Sequence, residues 1–153
     1  MIEARFGHVN VVAADWRLLA DFYSRVFGCV FVPPERDLGG PVFEAGTGVP
    51  GATVRGAHLR LPGLGENGPT LEIFQYGEAP ERPPTAINRP GFGHIAFAVP
   101  DVAAAREAVL AEGGGVIGEV VTTATSDGRR VTWTYLTDPE GNILELQAWS
   151  GPG

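Results

Sequence analysis

The sequence predicts an α+β fold built from two tandem βαβββ modules. Three observations carry that expectation. The chain has 153 residues, enough for one domain or for two half-domains sharing a core. Short runs of strand formers are interrupted twice by apolar residues at helical spacing. The order of elements in the first half then returns in the second, and a repeat of this kind governs the architecture.

In the first half, residues 2–12 read as a strand, with Phe6, His8 and Asn10 on one face and Val9 and Val11 on the other. Asp15 is a helix N-cap for Trp16 to Phe27, where Leu18, Leu19, Phe22 and Val26 form an apolar stripe and Gly28 is the stop. Cys29 to Val32 begins a second strand that Pro33-Pro34 is expected to end. Residues 35–53 read as a long loop holding Val42, Phe43 and Glu44, of the kind that is usually functional or mobile. Val54 to Leu61 is a third strand, and Thr70 to Tyr76 a fourth.

Residues 78–90 hold Pro80, Pro83, Pro84 and Pro90 with charges between them, the composition of a linker. The expected boundaries are a first module at 1–79, a linker at 80–90 and a second module at 91–150. Gly91 to Val99 is a strand with His94 near its start, and Asp101 caps an Ala-rich helix with Val102, Ala105 and Val109 inward. Gly113 to Gly115 stops that helix, and Val116 to Val121 is the next strand. Val131 to Thr137 and Ile143 to Trp149 flank the reversal Asp138-Pro-Glu-Gly-Asn142, in which Pro presets φ and Gly and Asn tolerate positive φ.

Composition excludes several functions. The 11 basic residues are all Arg, so Schiff-base and lysine-base chemistry have no residue to use. A net charge of −7 argues against nucleic acid, whose binding rests on phosphate neutralisation. No apolar run approaches the ~20 residues that span a bilayer, and no secretory leader is legible at Met1. Cys29 is the single cysteine and reads as a buried structural thiol, leaving no disulfide within the chain and no thiolate cluster. The expected compartment is the cytoplasm.

Glu145 and Glu72 are the anomalies. Each lies inside an apolar strand, Glu145 on a face with Ile143 and Gln147 while Leu144 and Leu146 point the other way. A carboxylate there is costly to bury unless a cation meets it. Each half offers one such Glu in its last strand and one His in its first, giving His8, Glu72, His94 and Glu145. Two imidazoles and two carboxylates suit a divalent first-row metal such as Ni, Co, Zn, Mn or Fe(II). An octahedral ion held by those four would keep two positions for water or a chelating substrate.

The repeat, with the strings Gly91-Phe-Gly-His-Ile-Ala-Phe-Ala-Val-Pro-Asp101 and Asp138-Pro-Glu-Gly-Asn-Ile-Leu-Glu-Leu146, resembles the vicinal oxygen chelate superfamily of glyoxalases, bleomycin resistance proteins and dioxygenases. The resemblance runs from His8 to Trp149. It implies modules whose mixed sheets curl around a central cavity, with metal ligands on the first and last strands of each. The set His8, Glu72, His94, Glu145 is most similar to glyoxalase I-like members. Methylmalonyl-CoA epimerases typically carry Gln where Glu72 stands, and Fe(II) dioxygenases and fosfomycin-resistance enzymes use one carboxylate fewer. Bleomycin-binding members generally lack the set.

What the resemblance implies is a metal-dependent lyase or isomerase, similar to lactoylglutathione lyase. Its small substrate would chelate the ion through two vicinal oxygens and pass through an enediolate. Glu145 is the first choice of general base and Glu72 the second. The alternatives are a protein of the bleomycin-resistance type that binds and sequesters an antibiotic or metabolite, a methylmalonyl-CoA epimerase-like enzyme, or an Fe(II) dioxygenase. Family resemblance also implies a homodimer. His58 and Glu44 are left as pocket or surface residues without an assigned role, His58 being unmatched in the second half. Phe74, Trp133 and Tyr135 are candidates for a pocket wall.

Overall fold

The computed structural model describes residues 2–151. It divides into two compact units, Met1–Arg82 and Pro83–Gly153, with the boundary inside the proline-rich stretch. Met1, part of the expected first module, lies outside the described residues. The chain is α+β, with three helices and two mixed sheets among the described residues, and neither sheet closes into a barrel.

In the first unit the order is β1 (His8–Val12), α1 (Trp16–Phe27), β2 (Val30–Leu38), α2 (Pro41–Thr47), β3 (Val54–Arg60) and β4 (Thr70–Tyr76). The sheet runs β1-β4-β3-β2, with β1 parallel to β4 and the other pairs antiparallel. Helix α1 starts where the Asp15 carboxylate accepts the N–H groups of Arg17 and Leu18 at 3.0 and 3.2 Å. It stops at Gly28, whose φ of 68° is left-handed and closes the last turn without a Cβ penalty. Its inward stripe is Trp16, Leu19, Ala20, Phe22 and Tyr23. Leu18, expected inside, is 49% exposed, because the i, i+3, i+4, i+7 row runs through Trp16 and Tyr23 and leaves Leu18 on its flank.

The helix packs on β3 and β4, where Ala57, Leu59, Leu71 and Ile73 are fully buried. Each such Leu or Ile contributes about 1.5–3 kcal/mol by leaving water. Alternation then fixes the opposite face: His58, Thr70 and Glu72 must point away from α1. On that face Gly56 lies opposite Phe74, and a Cβ at Gly56 would stand 2.7 Å from the Phe74 ring. The nearer obstacle is the Ile73 carbonyl oxygen of β4, so only glycine clears both that backbone and the ring.

Three expectations for this half need correction. The first strand is His8–Val12 rather than 2–12, since only those residues pair with β4. Pro33-Pro34 does not end the second strand: β2 continues to Leu38, with the register against β3 shifting between Val32 and Arg36. An edge strand can carry prolines at such an irregularity because it needs no donor on its outer side. The long loop at 35–53 holds the end of that strand and the short helix α2, which contains Glu44.

The second unit runs β5 (Ile95–Ala98), α3 (Val102–Ala111), β6 (Gly115–Val116), β7 (Val121–Ala124), β8 (Arg130–Thr137) and β9 (Ile143–Ser150). Its sheet is β5-β9-β8-β6, with β7 also on β8, and β5 is parallel to β9. This is the strand order of the first unit again. Asp101 caps α3 by accepting from Ala103 and Ala104 at 2.9 and 3.1 Å. Val102 and Val109 bury against the face that carries Leu136, Leu144 and Leu146.

The strand expected at Val116–Val121 is split. Residues 117–120 leave the ladder, and the Ile117 and Gly118 N–H groups both turn to the Tyr135 carbonyl at 3.3 and 3.1 Å. The strand expected from Gly91 begins only at Ile95, so His94 stands just before it.

Candidate functional site: two histidine–glutamate pairs

Strand register sets the polar face of the first sheet. Asn10, Glu72 and His58 are direct neighbours across β1, β4 and β3, and His8 lies opposite Thr70 one step along. The Glu72 side chain is only 13% exposed, so its charge needs partners. Asn10 Nδ2 donates to Oε2 at 2.9 Å, and His58 Nε2 meets Oε1 at 2.8 Å. His8 Nε2 lies 3.6 Å from Oε2. The His8 and His58 rings pack edge to face, 5.4 Å apart.

His58 is fixed at both nitrogens, since Nδ1 is 2.8 Å from Thr70 Oγ1. Burial lowers its pKa; Glu72 opposes this, while Arg36 and His8 add to the lowering. The Nε2–H group donates to Glu72 Oε1, because a carboxylate only accepts.

The second sheet repeats the pair. His94 Nε2 lies 2.8 Å from Glu145 Oε2, and the two side chains are 30% and 17% exposed. Opposite Glu145 stand Ala96 on β5 and Tyr135 on β8. The His94 and Tyr135 rings are 5.1 Å apart, and Trp133 meets Tyr135 edge-on at 5.1 Å. Burial, and then the Glu145 charge, push the Tyr135 phenol up. Further along β9, Trp149 Nε1 donates to Gln147 Oε1 at 2.8 Å.

Within each half, then, the His of the first strand or its threshold lies beside the Glu of the last. The structure adds His58, which directly faces Glu72. Sequence alternation alone placed His58 on an unassigned face, because its partner depends on how β3 and β4 align, and Tyr135 fills the corresponding place in the second half. Among the described residues no group of three or more His, Cys, Asp or Glu is set to hold an ion as it stands; Glu72 is engaged by Asn10 and His58 instead. The donor types nevertheless suit a borderline divalent ion, imidazole nitrogen with carboxylate oxygen.

Other candidates lie apart from these pairs. A groove of about 560 Å³ at the C-terminal end of β4 is lined by Asp15, Trp16, Arg55 and Tyr76 among others, and includes none of the His–Glu residues. Glu44 sits half-buried in α2. Cys29 is buried, and desolvation pushes its thiol up to about 11, as expected of a structural cysteine. No described helix is long and apolar enough to cross a membrane.

Comparison with solved structures places this fold among known ones. A glyoxalase family protein from Bacillus cereus is similar at a TM-score of 0.79 and 18% identity, over 99% of this chain and 97% of that one. A glyoxalase I mutant from Zea mays matches at 0.64 and 17%, over 93% of this chain and 45% of its own length. A genomically encoded fosfomycin resistance protein from Listeria monocytogenes, solved with Mn(II) and sulfate, matches at 0.53 and 16%, over 97% and 93%. No curated protein matches the chain. Residues 5–146 match the model of the Glyoxalase/Bleomycin resistance protein/Dioxygenase superfamily, and that span, with the repeated strand order, establishes that the chain belongs to this superfamily.

Proposed function

We propose that the chain is a metal-dependent enzyme of the glyoxalase I type, a lyase or isomerase acting on a small substrate with two adjacent oxygens. The observation that carries this reading is the repeated pair: His8 beside Glu72 and His94 beside Glu145, at the same offsets in two like sheets. His8 stands two residues before Asn10, which faces Glu72, and His94 two before Ala96, which faces Glu145. In this reading the four side chains are the metal ligands. A divalent ion, when bound, supplies a Lewis acid that polarises the substrate oxygens.

The chain's own residues do the rest. Glu145 takes the proton from the carbon beside the carbonyl and returns it to the neighbouring carbon; Glu72 is the second candidate for that task. Tyr135 and Trp133 present aromatic surface on the face of β8 that shares its side with Glu145. That wall excludes water from the reacting carbon. Family membership supports a homodimer as the working form, and we take its compartment to be the cytoplasm.

The aromatic stretch Trp133–Tyr135 also favours a second reading, in which the same surface binds and sequesters a small apolar metabolite or antibiotic without turnover. Metal content separates the two. Elemental analysis of the wild type beside His8→Ala, Glu72→Ala, His94→Ala and Glu145→Ala is expected to find a divalent ion in the wild type and to lose it in every variant. Hemithioacetal turnover would then be lowered by about 10²–10⁴-fold in Glu145→Gln. A wild type with no metal, and with no rise in Tm on adding Ni, Co, Zn or Mn, overturns the enzyme reading.

A further inference from the structure

We infer that His58 is a positioning residue for Glu72, holding one carboxylate oxygen so that the other is presented on the His8 side. The inference deepens the metal reading above and rests on it for the consequence, though the hydrogen bond itself does not. The two oxygens of Glu72 are already divided. Oε1 is taken by His58 Nε2 at 2.8 Å. Oε2 accepts Asn10 Nδ2 at 2.9 Å and is the oxygen nearer His8 Nε2, at 3.6 Å.

His58 can hold that oxygen because its own ring is fixed. Thr70 Oγ1 engages Nδ1 at 2.8 Å, and the His8 ring packs against it at an interplanar angle of 87°. Thr70 is also the register partner of His8, so the strand pair that places His8 and Glu72 also places the hydroxyl that fixes His58 on the neighbouring β3. A glutamate side chain has several rotors to order, and a partner that orders them beforehand spares a ligand that loss when it binds. Residues that orient a ligating side chain typically change metal affinity by about 10–100-fold when removed. His58 thus makes Glu72 a one-oxygen donor, with Oε2 as the oxygen left for the ion.

Two measurements test this. Co(II) titration of the wild type, His58→Ala and His58→Gln reads affinity and the visible spectrum of the bound ion. The expected result is about 10–100-fold weaker binding with an altered spectrum in His58→Ala, and recovery of most of both in His58→Gln, whose amide nitrogen can donate to the same oxygen. Equal Co(II) affinity and spectrum in wild type and His58→Ala would overturn the inference, since a packing role would move only Tm.

The second measurement is the histidine tautomer in the metal-free protein by two-bond 15N–1H spectra. His58 is expected as the Nε2–H form in the wild type, with that preference lost in Glu72→Ala. An Nδ1–H form in the wild type overturns the inference whatever the metal does. A wild type that binds no Co(II) yet shows the Nε2–H tautomer overturns the metal reading and leaves the hydrogen bond standing, so the two failures are distinguishable.

Discussion

His58 and Tyr135 occupy the same place in their two sheets, each directly across an antiparallel ladder from the glutamate of the last strand: His58 from Glu72, Tyr135 from Glu145. The two halves therefore share a frame but differ in the group beside the carboxylate. In the first sheet that group is an imidazole in hydrogen-bond contact at 2.8 Å. In the second it is a phenol ring wedged between His94 and Trp133.

Tyr135 is held chiefly by its ring. Aromatic pairs contribute about 0.5–1.5 kcal/mol each beyond burial, and Tyr135 makes two such contacts. Tyr135→Ala is expected to lower the unfolding free energy by about 1–3 kcal/mol, while Tyr135→Phe, which keeps both contacts, stays within about 0.5 kcal/mol of the wild type. Urea denaturation followed by tryptophan fluorescence measures both. Equal losses in the two variants would show that the hydroxyl, not the ring, holds the site.

Asp138 closes the hairpin between β8 and β9. It is 1% exposed, and its Oδ1 accepts the N–H groups of Glu140 and Asn142 at 2.9 Å each while Oδ2 accepts Asn142 Nδ2 at 2.7 Å. Removing the carboxylate leaves three part-buried donors without their acceptor, so Asp138→Ala should destabilise by about 1–3 kcal/mol. Asp138→Asn, which retains one accepting oxygen, should lose less. Thermal or chemical unfolding checks the order, and an Asp138→Ala protein as stable as the wild type would remove the carboxylate from any role in the turn.

Cys29 provides a pH signature. Burial raises its thiol from 9.0 to about 11, so between those values the unfolded chain ionises while the folded one holds its proton. The folded state binds more protons there, and this contribution to stability is complete below pH 9 and lost as pH rises through 11. Comparing the wild type with Cys29→Ala across pH 8–11 should give a steeper fall in the wild type. At pH 8 the folded thiol should also react with a disulfide reagent far more slowly than the unfolded chain, because the reactive species is the thiolate; comparable rates would contradict the burial.

Elements whose signals are local can be read from the amino-acid order alone. Asp15 and Asp101 cap their helices, and Gly28 stops the first, because a carboxylate three residues from free N–H groups and a residue without Cβ act within one turn. Period-two alternation set Glu72 and Glu145 opposite buried leucines before any partner was known. The two glutamates stand out in the sequence for the same reason: each is a carboxylate inside an apolar strand, and the anomaly occurs twice.

What lies across a ladder depends on packing. β2 runs on past Pro33-Pro34 because it is an edge strand with a shifted register, and the edge strand of the second sheet breaks at 117–120, where two N–H groups turn to one carbonyl. His58 became the partner of Glu72, and Tyr135 that of Glu145, through the register of antiparallel neighbours, which neither strand carries by itself. Such pairings depend on register, and register is set by how each sheet seats its apolar face against its helix, a property of the packed unit rather than of any one stretch.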